Sequence, residues 1–429
     1  MRTRVSAFLL VLISVPLASI ASAQLPSTAA EPRDAGLELV VMLSRHGVRS
    51  PIGAPGQYDK YSAAPWPAWD VPPSDLTAHG YQLMKLFGAW DRTQFASEGL
   101  FAPTGCADAA HVTIVADSDQ RTRETGKALA AGMFPGCPIA VDAQPEGSND
   151  PLFRPTQAGA VHPDKDLIAA AVLGRVGGDF DNVAKAYSPQ LGVLDNVLAG
   201  CGHAPANAKR TSLFQIPDAR LRVSTAATIA ENLLLEYTNG MSQADTGWGC
   251  LDGATLRAVM QVNGADWDYR MRTPAVARAR ASQLLDHILK TVEQSATGTA
   301  VPGAIGKPGD RLVLLVGHDT NIVTVAGALG IDWIMDGRVD DTPPGGALLF
   351  ELWRPRNGGK PFLRLEYIAQ TLEQMRNSEP LTAANPPAIA PIFLPACSRA
   401  DLSCTWDSFS AAVRAAIDPA YAALSDTHR

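Results

Sequence analysis

Three short stretches of this 429-residue chain gather residue types suited to chemistry on an anion. They are "RHGVRSP" (45–51), "DSDQRTR" (117–123) and "GHDTN" (317–321). In the first, Arg45 and Arg49 bracket His46. Guanidinium forks match phosphate oxygens bidentately, and arginine stays charged at every working pH. A histidine among such cations has its protonated form disfavoured, so its imidazole stays neutral and nucleophilic. Asp319 supplies the complementary part. As a carboxylic acid it can protonate a departing alkoxide, and as a carboxylate it can then activate water. His318 is placed to share with the arginines the charge that develops on a transferring phosphoryl group. Arg121 belongs with this set, although Arg123, two residues on, takes its place if the register of that turn differs. A set so positive needs a counter-ion when buried, and a dianionic phosphate is the natural one. The plainer alternative is that Arg45 and Arg49 form a buried ion-pair network with Asp117 or Asp119.

These residues need elements that bring them to one place. Four apolar runs rich in β-branched residues read as buried strands: "LELVVML" (37–43), "HVTIVA" (111–116), "RLVLLV" (311–316) and "ALLFELW" (347–353). Three of them run straight into the chemistry-bearing stretches. In an open α/β sheet, carboxyl ends of strands form a common crevice. Helical periodicity marks 220–240, which stops at Asn239-Gly240, and 273–294, with Pro274 in a first-turn position. From about 160 to 294 strand signals are few, so a helical insertion between two strand-bearing segments is expected. A Gly/Pro-rich connection (295–310) leads back to the sheet, and "EPLTAANPPAIAPIFLP" (379–395) reads as a Pro-rich surface segment. The expected fold is therefore α/β: an α/β sandwich domain built from both chain ends (24–160 and 295–429) with a smaller helical domain inserted at 161–294.

Composition narrows the function. With 46% hydrophobic and 18% charged residues the chain can bury a large core. Its net charge of −7 argues against a nucleic-acid or anionic-membrane partner, because those are bound through broad basic surfaces. Any positive charge that handles an anion must be local. Residues 1–23 have the basic start, short apolar run and small-residue cleavage site of an export leader, so a periplasmic location is expected, full secretion being the alternative. The six cysteines include no CxxC or zinc-ligand spacing and fit disulfides in an exported protein. Closeness in the chain pairs Cys106 with Cys137, Cys201 with Cys250, and Cys397 with Cys404. His79, His111, His162, His203, His287 and His428 show no metal-ligand spacing, and no metal or other cofactor is expected. Trp66 and Trp69 in "PWPAWD" lie near the first motif and suit either a substrate mouth or core packing.

The pair "RHGVRSP" and "GHDTN" resembles the signature of the histidine acid phosphatase family, the branch of the histidine phosphatase superfamily that includes bacterial periplasmic phytases and glucose-1-phosphatases. "ADSDQRTRETG", "GWG", "RTPAVARARASQLLDHI", "DDTPPGGALLFELW" and "QTLEQMR" extend the resemblance over nearly the whole mature chain. It implies that His46 becomes phosphohistidine, that Asp319 is the proton donor, and that Arg45, Arg49, Arg121 and His318 hold the phosphoryl group. It also implies an α/β domain with an inserted helical domain, no metal, and a substrate lid near Trp248 and 260–263. The expected activity is hydrolysis of a small-molecule phosphate monoester, phytase-like, by a monomer with no membrane partner once the leader is removed. The family's bacterial phytases typically carry a lysine where this chain has Gly53, and neither Lys60 nor Lys85 is an evident equivalent. A sugar-phosphate phosphatase resembling glucose-1-phosphatase is the second expectation, and a non-catalytic exported phospho-ligand binding protein the third.

Overall fold

The structure is a computed structural model that describes residues 34–202 and 209–422. The leader, His203 and His428 lie outside the described residues. An eight-stranded sheet forms the centre. Its first part comprises β1 (Ala35–Arg45), β2 (Val112–Ala116) and β3 (Asp142–Ala143), with α1 (Ala78–Ser97) and α2 (Gln120–Met133) between them. A helical stretch follows: α3 (Lys165–Arg175), α4 (Asp181–Ala186), α5 (Ser188–Leu198), α6 (Ala219–Thr238), α7 (Gly253–Arg270) and α8 (Pro274–Thr297). The chain then returns through β4 (Leu312–Gly317) and α9 (Asp319–Leu329). A small hairpin, β5 (Ile334–Met335) and β6 (Arg338–Val339), precedes β7 (Ala347–Pro355) and β8 (Phe362–Ala369). The last elements are α10 (Leu372–Asn377), β9 (Ala388–Pro391), β10 (Cys404–Thr405), α11 (Trp406–Ala416) and α12 (Pro419–Ala422). The mixed α/β class expected from the sequence is the class observed.

Sheet order is β10-β8-β7-β1-β4-β2-β3, with β9 on β8. β1, β4, β2 and β3 run parallel, whereas β7 joins β1 antiparallel. The late strand β4 thus enters between the two early strands β1 and β2. Register follows from alternation: Leu39, Val41 and Leu43 enter the core under α8, α9 and α11, while Val40 and Met42 enter the core under α1 and α2. A slip of one residue would exchange these faces, so burial on both sides pins the pairing. Arg45 lies opposite Gly317, and Ala116 opposite Val316. His46, His318 and Asp117 consequently emerge at one level.

A separate core centres on α5, α6 and α7, through residues such as Leu191, Leu233 and Val259, and Val48, Tyr61 and Leu83 of the first segment join it. α8 lies within the 161–294 span read as the insertion, yet its Leu284, Leu285, Ile288 and Val292 pack on the sheet with α9. Its apolar stripe looks alike in sequence whichever layer it covers. The segment 379–395, read as surface, contains β9, and its Ala390, Ile392 and Leu394 are buried. β8 escaped notice because Arg364 and Glu366 interrupt its apolar run, although Leu363, Leu365 and Tyr367 face the core. Three disulfides join Cys106 to Cys137, Cys201 to Cys250 and Cys397 to Cys404, with Cα separations of 5.4, 6.0 and 5.2 Å.

Candidate active site

Glycine opens the floor of the site. A Cβ on Gly47 would stand 2.8 Å from Met84, and one on Gly317 would stand 2.5 Å from Asn321 Oδ1. No side chain fits between these strand ends and the elements behind them. Asn321 accepts the His318 amide (2.9 Å) and donates to the Phe153 carbonyl (2.8 Å), which ties β4 and the start of α9 to the 150s loop.

His46 is 2% exposed. Its Nδ1 lies 2.8 Å from the Gly47 carbonyl, an atom that only accepts, so Nδ1 carries the proton and Nε2 keeps its lone pair. Burial, then Arg121, Arg45 and Arg49, hold its pKa well below the usual histidine value. Arg45 donates to Glu231 and to the Thr342 carbonyl, and its Nη2 is 3.3 Å from Asp319 Oδ2. Burial opposes its charge, but Glu231 and then Asp319 more than compensate, and its pKa rises. Arg49 reaches Glu231 at 3.6 Å; burial outweighs that attraction and, with Arg45 and Arg121, lowers its pKa to about 10.

The plainer sequence reading had Arg45 and Arg49 paired with Asp117 or Asp119. Their carboxylate is instead Glu231 on α6, and Asp117 and Asp119 serve other guanidiniums. Arg121 pairs with Asp119 at 2.5 Å, and Arg154 bridges Asp117 (2.5 Å) and Asp119. Arg123 turns away, toward the Gln144 carbonyl at 3.5 Å, leaving Arg121 as the inward one. His318 Nε2 is 2.5 Å from Asp117 Oδ2 and 3.0 Å from Arg154 Nη2. Burial lowers the His318 pKa more than Asp117 raises it. Asp117 is itself held low: burial works against its charge, but the His318 hydrogen bond and charge and then Arg154 prevail. Asp117, Asp119 and His318 present atoms within 4.8 Å of one another in the manner of a cation site, but a cation there would have to displace both guanidiniums.

Asp319 begins α9, and its Oδ1 accepts the Thr320 amide at 2.7 Å. Burial raises its pKa, but Arg45, then His318 and Arg49, bring it below the ordinary carboxylate value. His46, Arg49, Arg121, His318 and Asp319 all line one cavity of about 330 Å³, with Arg45 directly beneath. The six residues singled out in the sequence therefore converge.

Residues 36–367 match the histidine phosphatase superfamily (branch 2). The chain belongs to that superfamily. It is 32% identical to phytase AppA of Escherichia coli (strain K12), over 95% of this chain and 99% of the relative. It is 28% identical to the glucose-1-phosphatase of Salmonella typhimurium, over 91% and 96%. Among solved structures, Hafnia alvei phytase in complex with myo-inositol hexakis sulphate superposes with a TM-score of 0.82 at 32% identity, covering 91% of this chain and 99% of that one. As a histidine phosphatase this chain is a hydrolase of phosphomonoesters.

The phosphatase cavity also holds residues that the sequence left unmarked. Glu231 underlies both arginines of the first motif from 186 residues away. Arg154, Arg270 and Arg280 line the cavity beyond the motif residues. Arg270 pairs with Asp266 (2.8 Å) and lies over Trp267. Arg280, on α8, has its pKa lowered by burial and by Arg270, which marks two like charges held close. Asn263 lines the cavity, whereas Met260 lies in the helical core. Trp248 donates to the Pro65 carbonyl and packs edge-on against Trp66. Lys60 and Lys85 do not line the cavity. His79, His111 and His287 each face a backbone carbonyl. The only sequence signal for Glu231 was an acid at the head of "ENLLLEY", an otherwise apolar helical run.

Proposed function

We propose that this protein is an acid phosphatase of phytase-like specificity in which His46 is the nucleophile and Asp319 the proton donor. The observation that carries this reading is the Nδ1 contact of His46 to the Gly47 carbonyl, which leaves an Nε2 lone pair in a cavity with Arg49, Arg121 and Asp319. The phosphate of the ester sits among Arg45, Arg49, Arg121 and His318. His46 Nε2 bonds to phosphorus as the P–O ester bond breaks, and Asp319 gives its proton to the leaving oxygen. Water then attacks the phosphohistidine, Asp319 takes the water's proton, and inorganic phosphate leaves with His46 neutral again. The His318 N–H, held by Asp117 in the empty site, passes to a phosphoryl oxygen during transfer.

Asp319 is ionised in the empty site, whereas the donor role needs it protonated. A dianionic phosphate among Arg45, Arg49 and His318 offsets the charges that depress it, so the proton is held when substrate is bound. A monoester that enters as the monoanion in mild acid brings that proton with it. This is the physical reason for an acid optimum.

Polyphosphorylated esters are the preferred class because Arg154, Arg270 and Arg280 supply positive charge beyond the phosphoryl site, on elements unrelated to Gly53. The relatives named as phytases support the same reading. The protein is exported to the periplasm, a reading supported by the leader at 1–23 and the three disulfides. It acts as a monomer, since every residue named in the site comes from one chain. The chain division read from the sequence serves this site: the α/β domain carries the floor, and the inserted helices carry Glu231 and Arg270.

The test is phosphate release at about pH 4 to 5, where an ordinary carboxylic acid is still partly protonated, from phytate, glucose 1-phosphate and p-nitrophenyl phosphate. An acid-labile phosphate trapped on the His46 peptide in wild type and missing from His46→Ala supports the reading; trapping on another residue overturns it.

A further inference from the structure

Beside the phosphatase cavity lies a second cleft of about 320 Å³. It opens between the turn that follows the first motif (50–58) and the tryptophan segment (66–73). Sixteen residues line it, and none is charged. The adjoining cavity, by contrast, is lined by five arginines. Ile52 lines both spaces, and the consecutive α6 residues Glu231 and Asn232 line one each. An ester whose phosphate occupies the cavity therefore has this cleft next to its leaving group. Gly53, at φ +105°, leaves the junction without a side chain.

Two observations indicate what the cleft accepts. Tyr58, Trp66 and Trp69 give it aromatic walls, suited to the C–H faces of a ring and offering nothing to a polyanion. Asn232 is 5% exposed, and among the described residues its amide has no hydrogen-bond partner. Buried amides are normally paired, because leaving one unpaired is costly. An unpaired amide lining a cleft is matched by a ligand hydroxyl.

We propose that this cleft is a leaving-group subsite for the uncharged, hydroxylated six-membered ring of a singly phosphorylated sugar or cyclitol. The proposal rests on the phosphatase reading and deepens it. The cationic wall favours rings that carry several phosphates, and the uncharged cleft favours rings that carry one. Stepwise removal of phosphates from a polyphosphorylated ring ends in substrates of the second kind, so one enzyme is equipped for early and late steps.

The experiment compares wild type, Asn232→Ala, Asn232→Ser and Trp69→Ala on glucose 1-phosphate, p-nitrophenyl phosphate and phytate. Asn232→Ala should lower kcat/KM for glucose 1-phosphate about tenfold, mainly through KM, as expected for one lost hydrogen bond. Its loss on p-nitrophenyl phosphate, whose ring has no hydroxyl, should be several times smaller, and Asn232→Ser should recover part of the loss. Trp69→Ala should weaken both ring substrates more than phytate. Equal losses on all three esters would mean a structural role for Asn232 and overturn the proposal, as would no loss on any. An aryl ester as sensitive to Asn232→Ala as the sugar ester would show that ring hydroxyls are not what is read, which also overturns it. A second measurement separates the two readings: unphosphorylated glucose titrated into protein saturated with inorganic phosphate, followed by tryptophan fluorescence. If wild type hydrolyses none of the esters, the phosphatase reading fails. Glucose binding lost in Asn232→Ala would then still support the cleft, and no glucose binding in wild type would overturn it.

Discussion

The two walls at the mouth of this site differ in charge although they adjoin through Ile52. One presents Arg154, Arg270 and Arg280; the other presents Tyr58, Trp66, Trp69 and Asn232 without a charge among them. Beneath both is one reaction floor, made by the ends of β1 and β4. The chemistry is thus set by the sheet, and the choice of ester by loops and helices laid across it. That division explains how relatives named phytase and glucose-1-phosphatase share one reaction floor with this chain.

The comparison can be broken at the floor, where the largest effect is expected. His46→Ala should cost about four orders of magnitude or more on every ester, since removing a nucleophile leaves only binding and electrostatic stabilisation. A loss confined to one class of substrate would mean that the two walls do not share a floor. Asp319→Asn comes next, with a cost of ~10²–10⁴ on alkyl esters and far less on p-nitrophenyl phosphate, whose phenolate needs little protonation. In wild type the basic limb of kcat should lie at higher pH than that of kcat/KM. The free enzyme holds Asp319 low among Arg45, His318 and Arg49, and bound phosphate relieves this. Coincident limbs would remove the substrate-assisted protonation.

The walls themselves are sharpened by smaller effects. Arg270→Ala combined with Arg280→Ala should raise KM for phytate about tenfold or more, in line with losing charged hydrogen bonds, and much less for p-nitrophenyl phosphate. Equal changes would show that these arginines act on the reacting phosphate. The smallest effect concerns α6, which separates the walls. Burial raises the Glu236 pKa from 4.5 to about 8, and its Oε2 accepts the Gly247 amide at 3.0 Å. Between those values the folded state keeps a proton that the unfolded chain has released. Its contribution is fully present below about 4.5 and falls as pH rises toward 8. Glu236→Gln should flatten the decline in melting temperature over this range by a few degrees. An unchanged slope would mean that Glu236 does not titrate there.

The first four strands were legible because fully buried parallel strands are continuous apolar runs, as in β4, whose residues are all buried. β8 and β9 were not, because Arg364, Glu366 and three prolines of 386–391 hide strands whose hydrogen bonds depend on β7 already being in place. Of the site, His46, Asp319 and their nearest cations were visible as motifs, since reaction chemistry demands particular residues at particular spacings. Glu231, Arg154 and Arg270 followed no spacing. Each is an ordinary charged residue on a helix or loop, and only contact across 164 residues, as between Arg154 and His318, or 186, as between Arg45 and Glu231, gives it a role.

By itself, the sequence determined the reacting groups, the class of reaction and the α/β class of the fold, because nucleophile, acid and buried strand are all written in local residue types. Tertiary structure alone decided which carboxylate neutralises Arg45 and Arg49, which arginine faces inward, and that a charged wall and an uncharged one meet at the same floor. Those outcomes depend on burial and distance between remote segments. Electrostatic and hydrogen-bond energies acquire their values only once folding has removed water and fixed the separations.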